Sequence, residues 1–192
     1  MNEIVIATRN KNKYNEILKI LSNKPYKLLF AGDYPYLPEI EETGDTLYEN
    51  ALIKAKNTAI LLNKPCLSDD TGLFVESLNG EPGINAAIYA GKSCSYEDNV
   101  NKLLNELDGS ENRKAYFQTV CVLYNPIKDE IIHSIGTLFG NIIKKKRGLN
   151  GFGYDPIFIP DGYDITLAEM TDELKNMISH RYNAIRGLNV EC

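Results

Sequence analysis

Two adjacent carboxylates, Asp69 and Asp70, end a short apolar run and are followed by a Thr-Gly turn in the segment CLSDDTGLFV, residues 66–75 of this 192-residue chain. Ionised carboxylates are rarely buried without a partner, and placing two side by side disfavours ionising both. The run therefore predicts two short strands, residues 66–68 and 73–75, joined by an acidic turn that is either exposed or closed around a bound cation. Hard cations such as Mg²⁺ take oxygen ligands and keep several waters, which suits phosphate chemistry.

The composition is that of an ordinary soluble globular protein, with 43% hydrophobic and 24% charged residues. A net charge of −5 argues against a nucleic-acid platform, which normally carries a basic surplus. No apolar run approaches the roughly 20 residues that cross a bilayer, and the N-terminus lacks signal-peptide features. The four cysteines form no CxxC pair and there are only two histidines, so no zinc site is indicated. We expect a cytoplasmic protein with reduced thiols that binds neither membranes nor nucleic acid.

The hydrophobic pattern alternates strands and helices at the front of the chain and becomes rich in strands at its centre. Short β-branched runs predict strands, and apolar residues at helical spacing predict helices. We expect strands at residues 4–7, 27–30, 115–124, 131–143 and 156–160, and helices at 11–22, 46–63, 96–107 and from about 166 onward with a break near Ser179. This order predicts an α/β fold with a mixed sheet.

Two polar clusters precede the acidic pair. The first, TRNKNK, opens the first predicted helix, where Thr8 and Asn10 can cap it and Lys13 can reach an anion attracted to its N-terminus. The second, EETG at residues 41–44, offers another carboxylate for a metal, and Lys54 in the next helix offers a cation for phosphate. Compensation of the helix dipole and a surface lysine are the simpler interpretations of this second cluster.

Two more clusters follow the acidic pair. In GFGYDP, residues 151–156, the aromatic rings offer flat faces for a base, and Asp155 before proline could bind a base or ribose. A tight loop anchored by its aromatic residues is the alternative. The fourth cluster joins Lys175 to SHR at residues 179–181, where positive charge in the first turn of a helix opposes the dipole and so marks a site.

These motifs, TxNxxK, EETG, SDDTGL, GFGYDPIF and SHR, resemble in this order those of the Ham1 or inosine triphosphatase family, the pyrophosphatases for noncanonical purine nucleoside triphosphates. The resemblance covers the chain from Ile4 to about Leu188 and departs at Arg9, where many members have glycine. It implies a single α/β domain over residues 1–192, with a long central mixed sheet flanked by helices. It further implies two lobes with an active-site cleft between them, a Maf-related architecture, and assembly as a homodimer.

The resemblance also implies a role for individual residues. Asp70 becomes the catalytic base and a Mg²⁺ ligand, Glu41 the second metal ligand, and Asp69 the competitor of Asp70 for either role. The implied reaction is Mg²⁺-dependent hydrolysis of ITP, dITP or XTP to the monophosphate and pyrophosphate, which cleanses the nucleotide pool. The substrate-binding residues implied for the triphosphate are Thr8, Asn10, Lys13 and Lys54, and Thr71 would also touch the substrate. Those implied for the base pocket are Phe152, Gly153, Tyr154, Asp155, Lys175, His180 and Arg181.

Two rival functions stay open at this point. A Maf-like pyrophosphatase acting on pyrimidine or modified nucleotides would share the architecture, but its Ser-x-Ser-Pro-Arg type of motif is missing. A nucleotide- or RNA-binding module could use the basic run at residues 144–147, although a solvated turn is the simpler interpretation at this net charge. A Nudix hydrolase is not indicated, because the sequence has no REUxEE helix.

Overall fold

A computed structural model of the protein describes residues 2–188. Within this range the strands are β1 (Asn2–Ile6), β2 (Tyr26–Phe30), β3 (Cys66–Val75), β4 (Pro82–Gly83), β5 (Lys114–Asn125), β6 (Glu130–Ile142) and β7 (Phe158–Pro160). The helices are α1 (Lys11–Ile20), α2 (Leu47–Leu62), α3 (Tyr96–Glu106), α4 (Asp172–Ile178) and α5 (His180–Gly187). Apart from β4 and the centre of β3, these are the elements that the hydrophobic pattern predicts, with ends shifted by a few residues. The helix expected from about residue 166 begins only at Asp172, because the residues before it form turns.

The strands form one mixed sheet, in the order β2-β1-β3-β5-β6-β7, with β4 paired to β3. β1 runs parallel to both β2 and β3, whereas β4 is antiparallel to β3 and β7 is antiparallel to β6. Parallel strands need crossover connections, and α1 and α2 supply them. The prediction of an α/β fold with a mixed sheet is therefore confirmed.

The acidic pair lies inside a strand. β3 runs without interruption from Cys66 to Val75, and Asp69 and Asp70 at its centre are 2% and 6% exposed. The predicted turn between two short strands is wrong, because lysine and arginine side chains from distant parts of the sequence neutralise the buried carboxylates. The strand expected at residues 156–160 is also shorter, since Asp155–Ile157 form a 3₁₀ turn before β7.

The described chain divides into two compact units whose boundaries fall inside β3, β5 and β6. Unit 1 comprises the residues up to Asp70, Thr119–Gly136 and the residues from Arg181 onward. Unit 2 comprises Thr71–Gln118 and Thr137–His180. Each unit has an apolar core of its own, described in turn below.

The core of unit 1 packs α1 and α5 against the parallel strands. Its buried members are Ile4, Ile6, Ile17, Leu67, Cys121, Leu123, Ala184, Ile185 and Leu188. α1 turns Ile17 inward because its apolar residues recur at helical spacing, with Tyr14 and Leu21 packed beside it. Burial of this face fixes the direction in which the N-terminus of α1, and the polar loop before it, leave the sheet.

The core of unit 2 packs α3 against the second halves of β3 and β6 and the first part of β5. Its buried residues include Leu73, Val100, Leu103, Phe117 and Phe158. Ser95 caps α3 and forms a reciprocal capping box with Asp98, which fixes where this helix begins.

Among residues 2–188, no helix has both the length and the apolar character that crossing a bilayer requires.

Candidate active site

The loop between β1 and α1 caps its own helix. The side chain of Asn10 accepts hydrogen bonds from the backbone N–H groups of Asn12 and Lys13, at 3.0 and 3.3 Å, and Thr8 Oγ1 accepts one from Asn10 at 3.1 Å. Asn10 thus accepts hydrogen bonds from some of the backbone N–H groups that the sequence predicted would bind an anion. Lys13, in the first turn of α1, brings an ammonium group to the acidic pair.

Asp69 is an ionised carboxylate held by two cations. Its Oδ2 lies 3.2 Å from Lys13 Nζ and accepts hydrogen bonds from Arg181 Nε and Nη2 at 3.2 and 2.9 Å. Burial alone would raise the pKa of Asp69, but the charges of Lys13 and Arg181 outweigh it and hold this pKa well below its usual range. A carboxylate fixed in this way is a weak base and suits a positioning role better than proton transfer.

Arg181 lies in unit 1 and is buried among carboxylates. Its guanidinium donates to Asp69 and also to Glu16, which lies one turn after Lys13 on α1. Burial lowers the pKa of Arg181, but the two carboxylates more than compensate and raise it. The sequence placed Arg181 with the base-binding residues, yet the partners observed for it are carboxylates of unit 1. Sequence analysis missed Glu16, although its i, i+3 spacing from Lys13 places both on one helix face.

Asp70 differs from its neighbour in the direction of its pKa shift, which is upward for Asp70 and downward for Asp69. Oδ1 accepts a hydrogen bond from Lys54 Nζ at 2.8 Å, while Oδ2 is buried without a hydrogen-bond partner among residues 2–188. Burial raises the pKa of Asp70 to about 6, against the charges of Lys54 and Lys13, and the nearby Glu42 adds to the rise. Such a carboxyl group can change its protonation state near neutral pH and can accept a water or a cation.

The acidic loop, defined as residues 38–43, contacts this cluster through Glu42. Glu42 Oε1 lies 3.1 Å from Lys54 Nζ, whereas Glu41 is exposed and has no ion pair or hydrogen bond among the described residues. Within residues 2–188 no group of three or more His, Cys, Asp or Glu side chains is close enough to enclose a metal. The unsatisfied Asp70 oxygen nevertheless fits Mg²⁺, which is typically bound through one or two carboxylates, waters and substrate phosphates.

The predicted base-binding residues of unit 2 are organised around Asp155. Its Oδ2 accepts hydrogen bonds from Lys175 Nζ at 2.5 Å and from the Phe152 N–H at 2.8 Å, and both charged side chains are 6% exposed. Lys175 Nζ also lies 5.0 Å from the centre of the Phe152 ring. Gly151 has φ +73° and a Cβ there would come within 2.1 Å of Asp155 Oδ2, so the loop needs glycine.

The aromatic residues of this loop have different environments. Phe152 is half-buried, so part of its ring remains available for stacking. Tyr154 is a core residue whose hydroxyl donates to the Ala86 carbonyl at 2.9 Å, and this burial contradicts the prediction that its face is open to a base. A Cβ on Gly153 would meet no atom within 4 Å, so open space adjoins the backbone there. Thr71, the first residue of unit 2, is half-buried in β3.

His180 ends unit 2 and is buried against an aromatic ring. Its imidazole stacks on Phe117 with the ring centres 4.8 Å apart. The other histidine, His133, is exposed and lies edge-on to Tyr48 in unit 1. His180 is therefore the histidine whose orientation the fold fixes, as a recognition role requires.

The basic run at residues 144–147 is largely neutralised. Lys146 lies 2.7 Å from Glu97, Arg147 lies 2.8 Å from Glu169, and Lys144 lies 3.7 Å from Glu111. Ion pairs of this kind reduce the positive potential that attracts a nucleic-acid backbone.

An apolar cavity in unit 1 lies apart from these clusters. Its volume is about 610 Å³, and none of the predicted site residues lines it. It is lined by Ile4, Ile20, Leu21, Lys24, Tyr26, Leu67, Leu123, Tyr182, Ile185, Arg186 and Leu188. The cavity therefore contributes nothing to the polar clusters described above.

Comparison with known proteins places this geometry in a family context. The Ham1 family model matches residues 4–190. A dITP/XTP pyrophosphatase of Thermoanaerobacter sp. (strain X514) is 46% identical over 188 residues, covering 97% of this chain and 94% of the relative. One from Halalkalibacterium halodurans is 41% identical over 191 residues, with 98% of both chains covered.

Solved structures agree with the sequence comparison. The Staphylococcus aureus Ham1 protein superposes with a TM-score of 0.85 at 43% identity, covering 97% of this chain and 96% of that chain. A HAM1 protein from Coxiella burnetii gives a TM-score of 0.88 at 38% identity, covering 98% of this chain and 96% of that chain.

Proposed function

This chain belongs to the Ham1 family, and from that premise we propose that it hydrolyses noncanonical purine nucleoside triphosphates, namely dITP, XTP and ITP. The products are the nucleoside monophosphate and pyrophosphate, so the bond that breaks is a P–O bond of the bridge between the α and β phosphorus atoms. The observation that carries the proposal is Asp70, a buried carboxyl with an unsatisfied oxygen beside a lysine. Hydrolysis of these nucleotides would cleanse the cellular pool.

The charges of unit 1 suit phosphoryl transfer. Such reactions depend mainly on positioning and on neutralising charge that develops on phosphate oxygens. Each ammonium group has three donors, so Lys13 and Lys54 can keep Asp69 and Asp70 as partners and still donate to phosphate. Thr8 and Asn10 supply neutral polar groups beside Lys13. Asp70, with its raised pKa, orients the attacking water and accepts its proton.

We propose Mg²⁺ as the cofactor, held by Asp70 and by Glu41 of the acidic loop. When bound, the ion would neutralise phosphate charge and orient the oxygens of the scissile bond. Lys54 would hold Asp70 in place through its hydrogen bond to Oδ1, and Asp69 would hold Lys13 and Arg181 in place.

We also propose that the protein is a homodimer, which light scattering of the purified protein would test.

We propose that residues of unit 2 select the purine base of the substrate. Hypoxanthine and xanthine carry a carbonyl at position 6 where adenine carries an amino group. Donors such as Lys175 and His180 would pair with that carbonyl but oppose the amino group of adenine. A buried polar group left unpaired costs about 1–3 kcal/mol, so a site with several donors discriminates strongly. Phe152 would stack on the base, and Asp155 would keep Phe152 and Lys175 in place.

Product analysis tests the proposal. The purified protein is incubated with Mg²⁺ and separately with dITP, XTP, GTP, ATP and dTTP, and pyrophosphate is scored against orthophosphate. We expect pyrophosphate and monophosphate from dITP and XTP, and little product from ATP. Turnover confined to the pyrimidine nucleotide would favour a Maf-like activity, and binding without any turnover would favour a nucleotide-binding module.

A further inference from the structure

Arg9 reaches from the loop before α1 to a second loop. Its Nη2 donates a hydrogen bond of 2.5 Å to the backbone carbonyl of Leu37. Leu37 is 6% exposed, and its own N–H donates to the Tyr34 carbonyl at 3.0 Å. A guanidinium stays charged at every ordinary pH, so its hydrogen bond to a carbonyl is stronger than one between neutral groups. The contact therefore fastens the two loops of unit 1 to each other.

Leu37 is the last fixed residue before the acidic loop. At the other end of that loop, the N–H groups of Gly44 and Asp45 donate to Asn50 Oδ1 and Glu49 Oε2, each at 2.8 Å. Between these ends, the described structure gives residues 38–43 a single polar contact, the ion pair of Glu42 with Lys54. A six-residue segment with so few contacts takes its conformation mainly from where its two ends are held.

We infer that Arg9 is a positioning residue that fixes the start of the acidic loop. By holding the Leu37 carbonyl, it limits the positions that Glu41 and Glu42 can take relative to Lys54 and Asp70. A glycine at this place has no side chain and could not make the bond, so the anchor depends on the arginine. The structural part of the inference is independent of the reaction, and its kinetic part rests on the proposed function.

Proteolysis of the free protein tests the anchor directly. An endoproteinase that cleaves after glutamate finds Glu39, Glu41 and Glu42 within the acidic loop. In the absence of Mg²⁺ and nucleotide, we expect Arg9→Ala to be cleaved in this loop about tenfold faster than wild type, because the variant loses one charged hydrogen bond. Arg9→Lys should be intermediate, and Lys92→Ala, which removes an exposed cation of unit 2, should match wild type.

Kinetics tests the positioning role. In Arg9→Ala the Mg²⁺ concentration for half-maximal rate should rise about fivefold to tenfold, with a smaller change in the KM for dITP, because the loop carries metal-binding carboxylates rather than phosphate donors. Unchanged cleavage in Arg9→Ala would overturn the anchor. A raised KM for dITP at unchanged Mg²⁺ requirement would overturn it in favour of a direct phosphate contact. If wild type turns over no nucleotide, the proposed function fails, while the cleavage rates still decide the anchor.

Discussion

The two clusters of buried charge differ in how completely their groups are satisfied. In unit 1, Asp70 keeps an oxygen without a hydrogen-bond partner among the described residues, and burial raises its pKa to about 6. In unit 2, Asp155 accepts from both Lys175 and the Phe152 backbone. An incompletely satisfied carboxyl can take up a proton or a cation, whereas a saturated pair fixes the shape of a loop. Under the proposed function, unit 1 would carry the chemistry and unit 2 the recognition of the base.

The largest expected effect comes from Asp70→Asn. An amide can neither accept the proton of water nor hold a cation as a carboxylate does, so kcat for dITP should fall at least about 10³-fold. Nucleotide binding should persist, because Lys13 and Lys54 keep their charges. Steady-state pyrophosphate release measures the first quantity and equilibrium dialysis with dITP the second.

Asp155→Asn is the matched control, since it makes the same chemical change in unit 2. We expect it to raise the KM for dITP while leaving a measurable kcat. Full turnover in Asp70→Asn, or equal loss of kcat in both variants, would remove the distinction between the two clusters.

The second prediction concerns stability. Lys175→Met leaves Asp155 buried without its cation, which should lower the free energy of unfolding by about 3–5 kcal/mol. Urea unfolding followed by tyrosine fluorescence measures the change. The double variant Lys175→Met, Asp155→Asn should recover part of the loss, because no uncompensated charge remains buried. Lys92→Met, at an exposed position, should cost little, and an equal cost would show that the pair has no special place in unit 2.

Local pattern was enough to predict most of the fold. Apolar spacing located α1, α2 and α3, capping residues marked the start of α1, and the order of strands and helices indicated a mixed sheet. The pattern failed at β3, where two adjacent carboxylates looked like a turn. Their burial depends on Lys13, Lys54 and Arg181, which are remote in sequence, and no local rule reveals such partners.

The candidate site was predicted unevenly for the same reason. Motif resemblance named Asp70, Lys13 and Lys54, and the structure brings these three into one charged cluster of unit 1. It also named Tyr154, whose burial in a core depends on packing that the motif cannot express. The roles of Glu16 and Glu42 follow only from ion pairs made across the fold.

The third prediction uses the raised pKa of Asp70. This group is protonated below about pH 6, whereas a metal needs its carboxylate form. The affinity for Mg²⁺ should therefore be nearly constant above pH 7 and fall about tenfold for each pH unit below 6, with one proton released per ion bound at low pH. Calorimetric titration in buffers of different ionisation enthalpy measures both quantities. An affinity that stays flat down to pH 5 would mean that Asp70 is not the group that binds the metal.

The smallest expected effect separates the two glutamates of the acidic loop. Glu42 lies 3.1 Å from Lys54 and its charge helps to raise the pKa of Asp70, so Glu42→Gln should lower that pKa. Glu41→Gln should leave the pKa of Asp70 in place but weaken Mg²⁺ binding, because Glu41 is the proposed ligand. Carboxyl-carbon NMR of the metal-free protein measures the pKa, and calorimetry measures the affinity. If Glu42→Gln weakens Mg²⁺ binding and Glu41→Gln does not, Glu42 replaces Glu41 as the ligand. Asp70 and Glu42, which both pair with Lys54, would then be the two carboxylates that bind the metal.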